Sequence, residues 1–109
     1  MLRCCVNKKS DGLSILDEHT AAHVAELFRS FSDTSRVRIL SVLTQREENV
    51  GSLAGLVGIS ESAISHHLRS LRQMGLVQTR RDGKEIYYRV DDDHLIALFR
   101  EGVKHVQYG

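Results

Sequence analysis

Leu53-Ala54-Gly55-Leu56-Val57-Gly58-Ile59-Ser60-Glu61-Ser62-Ala63-Ile64-Ser65-His66-His67-Leu68-Arg69-Ser70-Leu71 carries the strongest architectural signal in the chain. Leu53, Leu56 and Val57 read as a short apolar helix closed by Gly58, because glycine accepts backbone angles that cost other residues a Cβ clash. Ser60 then stands as an N-cap, and Ile64, Leu68 and Leu71 recur behind it at helical spacing up to Gly75. A short helix, a tight glycine turn and a second amphipathic helix predict a helix-turn-helix. The second helix spends its apolar side on the core and offers Ser62, Ser65, His66, His67 and Arg69 on the other. These are the short hydroxyls, imidazoles and guanidinium that reach base edges and phosphates.

Downstream, the hydrophobic period changes from 3.6 to 2. Ile86, Tyr88 and Val90 alternate with Tyr87 and Arg89, and Asp82-Gly83 between two strand-like runs predicts a hairpin. Arg80, Arg81 and Lys84 surround its turn, where they can grip a phosphate run. Upstream, Leu16, Thr20, Val24, Leu27, Phe28 and Phe31 mark a helix ending at Ser32-Asp33, and either of those residues can cap the next one, with Val37, Leu40 and Leu43 on its buried face. Asp91, Asp92 and Asp93 open a last helix carrying Leu95, Leu98, Phe99, Gly102, Val103 and Val106 on one stripe. The expected architecture is mainly α with a β-hairpin wing, in the order four helices, hairpin, helix: a winged helix-turn-helix. Residues 1–12 read as a flexible tail and residues 13–109 as the folded domain. One such domain reads a half-site, so a homodimer on a palindromic operator is expected.

The whole-chain balance, 15 basic against 14 acidic residues in 109, conceals this polarity. Residues 60–89 carry six basic side chains against three acidic, whereas residues 90–109 carry two against four. The basic excess therefore sits on the second helix of the motif and on the hairpin. No apolar run approaches the ~18–20 residues of a membrane span, and Met1-Leu2-Arg3-Cys4-Cys5 lacks the apolar segment of a secretory signal. Two adjacent cysteines build no disulfide scaffold and suit a reducing compartment, so the chain reads as a cytoplasmic domain without a membrane partner. No His-Glu-x-x-His, phosphate-cradling glycine loop or nucleophile elbow occurs, and an enzyme is not expected.

Ser60-Glu61-Ser62-Ala63-Ile64-Ser65-His66-His67-Leu68-Arg69-Ser70-Leu71-Arg72, Gly75-Leu76-Val77 and Ile86-Tyr87-Tyr88-Arg89-Val90 together resemble the ArsR/SmtB family of metal-sensing repressors. The likeness runs over about residues 20–107. It implies a homodimeric winged-helix repressor whose metal-free form sits on its operator and leaves when metal binds, and the zinc-sensing branch is the nearest in pattern.

The last helix carries Asp92, His94 and His105, spaced Asp-x-His-x10-His. Eleven residues is almost three helical turns, so the two histidines share a face but stand roughly 17 Å apart along the axis. They cannot hold one ion within one chain. If two copies of the helix pack antiparallel, His94 of one meets His105 of the other, with Asp92 joining only from a capping position. Carboxylate and imidazole donors suit Zn²⁺, with Co²⁺ or Ni²⁺ as alternatives. Three residues after His105, where the family's zinc sensors carry Glu or His, this chain has Tyr108, which leaves the fourth ligand as Tyr108, water or another donor. The family's thiolate site needs cysteines where this chain has Asn49-Val50-Gly51. Cys4 and Cys5, with His19 and His23, are the candidates for a second, soft-metal site, and a soft-metal or thiol signal through this cysteine pair is the alternative to the zinc reading. A winged DNA-binding protein without an inducer is the remaining reading.

Overall fold

Five side-chain caps, three aspartates, one asparagine and one serine, mark where the helices begin. A computed structural model describes residues 6–8 and 14–109; Cys4 and Cys5 lie outside the described residues. A short ladder pairs β1 (Val6–Lys8) antiparallel with β2 (Ser14–Leu16), so a strand lies within the stretch read from sequence as a tail. Helix α1 (Glu18–Ser30) follows, capped by Asp17. Asp33 caps α2 (Thr34–Leu43) by accepting from the Arg36 amide at 3.0 Å. Asn49 caps α3 (Val50–Val57) and Ser60 caps α4 (Glu61–Gln73), its hydroxyl accepting from the Ala63 amide at 3.1 Å. Such caps satisfy amides that have no partner inside the helix. Gly58 ends α3 at φ 81°, in the left-handed region that the turn between the two helices requires.

The hairpin pairs β3 (Gln78–Asp82) with β4 (Glu85–Arg89). Its register runs to Asp82 opposite Glu85, so the turn falls on Gly83-Lys84, one residue later than the Asp-Gly pair suggests. Of these two turn residues only Gly83 has positive φ, 62°, which is the pattern of a type II′ turn. The hairpin is not free-standing. Glu48 and Tyr88 exchange both backbone hydrogen bonds, 3.0 and 2.9 Å, adding an isolated bridge from the α2–α3 loop. Below it, the Val90 amide bonds to the Leu43 carbonyl at 3.0 Å, Asp91 accepts from Arg89 Nε at 2.8 and 3.0 Å, and the Asp91 amide bonds to Gln78 Oε1 at 3.0 Å. Helix α5 (Asp93–Tyr108) begins immediately afterwards, capped by Asp92.

The core lies under α2, α3, α4 and the hairpin base. Ile39, Leu40, Leu43, Leu53, Val57, Ile64, Leu68 and Leu71 are buried, joined by Leu76, Val77, Val90 and Leu95. Each fully buried aliphatic side chain contributes about 1.5–3 kcal/mol of transfer free energy. The outer helices behave differently. Leu27, Phe31 and Phe99 pack against the core, but Phe28 is 51% exposed and Val106 84% exposed, and Val24 and Leu98 are also open. Leu56 is about half exposed on α3, and Val37, read from sequence as part of the buried face of α2, is half-buried. Phe28, Phe31, Val37, Leu98, Val103 and Val106 line an open apolar groove of about 590 Å³ between α1 and α5.

Candidate nucleic-acid interface and metal centre

The exposed side of α4 presents Ser62, Ser65, His66 and Arg69, a spacing of three, four and seven residues that keeps them on one row. Arg72 extends this row by another turn and is exposed. It was not singled out from sequence, although the same spacing marks it. His67 does not belong to the row. At roughly 100° per residue it falls about 140° from Ser62, and its ring is largely covered. There Nδ1 accepts from Arg36 Nε at 3.2 Å and Nε2 lies 3.8 Å from Asp33 Oδ2. His67 thus ties α4 to the capped start of α2 instead of joining the free face.

A second tie sets the angle between the helices of the motif. Arg38 donates to the Val57 carbonyl at 2.9 Å, satisfying the end of α3 just before the Gly58 turn. Ile64, Leu68 and Leu71 lock the opposite side of α4 into the core, so the exposed row is presented on a rigid element.

On the wing, Arg81 and Lys84 are exposed, and among the described residues neither forms an ion pair or side-chain hydrogen bond. Arg80 is differently employed. Its guanidinium makes a two-pronged contact with Glu47, Nε donating to Oε2 at 3.1 Å, and lies 4.8 Å from the Tyr87 ring centroid. The Arg80 hydrogen bonds hold the Glu47 carboxyl below the usual carboxylate range, and Glu47 in turn raises the Arg80 guanidinium. Arg80 therefore secures the wing to the α2–α3 loop, beside the Glu48–Tyr88 bridge and an Asn49–Glu85 hydrogen bond of 2.8 Å.

At the start of α5, Asp92 is the N-cap: Oδ1 accepts from the His94 amide at 2.8 Å and the Leu95 amide at 3.4 Å. The same oxygen lies 3.4 Å from His94 Nδ1. Capping is what lets a residue two before His94 share its direction, which a continuous helix would forbid. His94 is fully exposed, and His105 and Tyr108 are exposed on the last two turns. Among the described residues no group of three His, Cys, Asp or Glu side chains converges within one chain. Asp92 and His94 are brought together, and His105 stands at the far end of the same helix.

Comparison with known proteins sets this geometry among relatives. Residues 33–79 match the family described as bacterial regulatory protein, arsR family. A transcriptional repressor SmtB homolog from Synechocystis is 44% identical over 87 residues, covering 80% of this chain and 66% of that protein. A cadmium resistance transcriptional regulatory protein CadC homolog from Staphylococcus aureus is 37% identical over 83 residues, covering 75% of this chain and 69% of that protein. This chain belongs to the ArsR/SmtB family.

The crystal structure of NolR from Sinorhizobium fredii superposes with a TM-score of 0.75 at 33% identity, covering 87% of this chain and 97% of that one. As in other ArsR-family chains, the fold is a winged helix-turn-helix, and its relatives are transcriptional regulators and not enzymes. The stretch matched to the family runs from the α2 cap into β3, so it contains the reading helix and excludes Asp92, His94 and His105. Among the described residues no helix is long and apolar enough to cross a membrane.

Proposed function

We propose that this ArsR-family chain is a homodimeric, metal-responsive transcriptional repressor that binds a palindromic operator and is released by Zn²⁺ or a similar borderline ion. The observation that carries the reading is the layout of α5. An unbroken 16-residue helix bears the Asp92–His94 unit at its first turn, His105 near its last, and an apolar stripe open at Leu98 and Val106. A second copy packed antiparallel on the α1–α5 groove buries that stripe and unites Asp92 and His94 of one chain with His105 of the other, twice per dimer. The donor set fits the ion: one carboxylate and two imidazoles suit zinc, and the two donors in one chain already share a direction. The bound ion supplies a cross-link between the two final helices.

The chain's own residues do the rest. The α4 row of Ser62, Ser65, His66 and Arg69 faces base edges, and Arg81 and Lys84 grip the flanking phosphates. Two reading helices spaced for successive major grooves make DNA affinity depend on dimer geometry, so clamping α5 in a different arrangement weakens it. Linkage makes the effect reciprocal, with operator binding weakening metal binding by the same factor. A coupling of about 3 kcal/mol corresponds to about two orders of magnitude in operator affinity. The relatives named as an SmtB-type repressor and a cadmium resistance regulator support a metal signal. The test is His105→Ala: operator affinity measured by fluorescence anisotropy stays as in the parent, and zinc no longer releases the DNA. Release at the parental zinc concentration removes the α5 site from the mechanism.

A further inference from the structure

A second pair of histidines lies apart from both the α4 row and α5. His19 and His23 occur four residues apart on α1, and their rings meet edge to face with centroids 4.4 Å apart. Both are exposed, and among the described residues neither ring forms a side-chain hydrogen bond or ion pair. Side chains at i and i+4 lie one above the other on a helix, so both imidazoles stand on one side of α1, within reach of a common ion. The observed ring spacing is compatible with two nitrogens each about 2.1 Å from a shared ion.

The surroundings favour a cation. From Asp17 to Glu26 the chain carries Asp17, Glu18 and Glu26 and no Lys or Arg, the next basic residue being Arg29. At about 100° per residue, Glu26 falls within about 60° of both imidazoles, while Val24, Leu27, Phe28 and Phe31 form a separate apolar stripe. The carboxylates raise the local cation concentration without converging as ligands.

We propose that His19 and His23 form a bidentate imidazole site on α1 for a borderline divalent ion, separate from the α5 residues. Two neutral imidazoles with water in the remaining positions suit nickel and zinc better than hard calcium or magnesium. The chelate closes only when residues 19–23 are helical, so occupancy stabilises the first turns of α1 by mass action. It does so on a helix that borders the apolar groove.

The experiment is a nickel titration of the full chain carrying His94→Asn and His105→Asn, followed by calorimetry and by hydrogen exchange in α1. The expected result is one nickel ion per chain with slowed exchange in α1. Adding His23→Asn lowers the apparent affinity at least tenfold and abolishes the exchange effect, with unchanged far-ultraviolet circular dichroism. The assignment is overturned if the His94→Asn/His105→Asn chain binds no nickel, or if binding survives His19→Asn together with His23→Asn. It is equally overturned if Cys4→Ser and Cys5→Ser remove binding while both imidazoles are intact.

Discussion

The α3–α4–wing half and the α1–α5 half use the same kinds of residue to opposite ends. In the first half Ile64, Leu68 and Leu71 are fully buried, the helix starts are capped, and the wing is tied down by Glu48–Tyr88 and Glu47–Arg80. In the second, Phe28, Leu98 and Val106 lie open around an apolar groove. The reading half buries its apolar side chains, whereas the outer half leaves Phe28, Leu98 and Val106 open among the described residues. Exposed apolar area of this kind marks an interaction surface. The contrast therefore separates a half that packs within the chain from a half that leaves a surface for the proposed dimer contact.

The largest expected effect tests the self-sufficient half. Leu68→Ala leaves a cavity under the reading helix and costs about 2–5 kcal/mol in urea unfolding at fixed protein concentration. A cost below 1 kcal/mol would mean that this core is looser than its burial implies. Next in size is Val106→Glu, which places a carboxylate in the proposed dimer face. Sedimentation equilibrium should show dimer dissociation about 30-fold weaker, corresponding to about 2 kcal/mol, with the circular dichroism spectrum retained. An unchanged dimer would show that the two halves do not divide in this way.

Two smaller effects sharpen the contrast within the wing. Arg81→Ala is expected to weaken operator binding several-fold and to reduce the salt slope by about 1, as loss of one phosphate contact does. Arg80→Ala weakens binding through wing placement and leaves the slope nearly unchanged, since its charge is already engaged by Glu47. The smallest effect is the acid titration of Glu47. Its carboxyl is depressed by Arg80, so the bridge is fully present above the ordinary Glu pKa and is lost only as pH falls through the lower folded value. Carboxyl chemical shifts followed by NMR should give a Glu47 midpoint below the ordinary value, returning to it in Arg80→Ala.

The motif was legible because its determinants are local. Ser60, Gly58 and the Ile64–Leu68–Leu71 spacing act within one or two turns, and periodicity reports them directly. The Asp92 cap was similarly readable from the aspartate run. Periodicity also placed Phe28 and Val106 on apolar stripes, but a stripe carries no information about what covers it, and among the described residues both stay exposed. His67 was grouped with His66 because both are polar neighbours, while the helical angle turns it toward Asp33 and Arg36. Glu47–Arg80 spans 33 residues and is created by the wing's register against the α2–α3 loop. No local pattern encodes a contact of that range.

The junction between β4 and α5 has a mechanical consequence. Asp91 is fastened to Arg89 and Gln78, one on each wing strand, and Val90 to the end of α2, while the next residue, Asp92, is the cap beside His94. There is no slack segment to absorb displacement between the end of the hairpin and the first turn of the final helix. A pull on that turn is transmitted to the root of the wing across a single peptide unit, as in a crank whose handle and shaft share one joint.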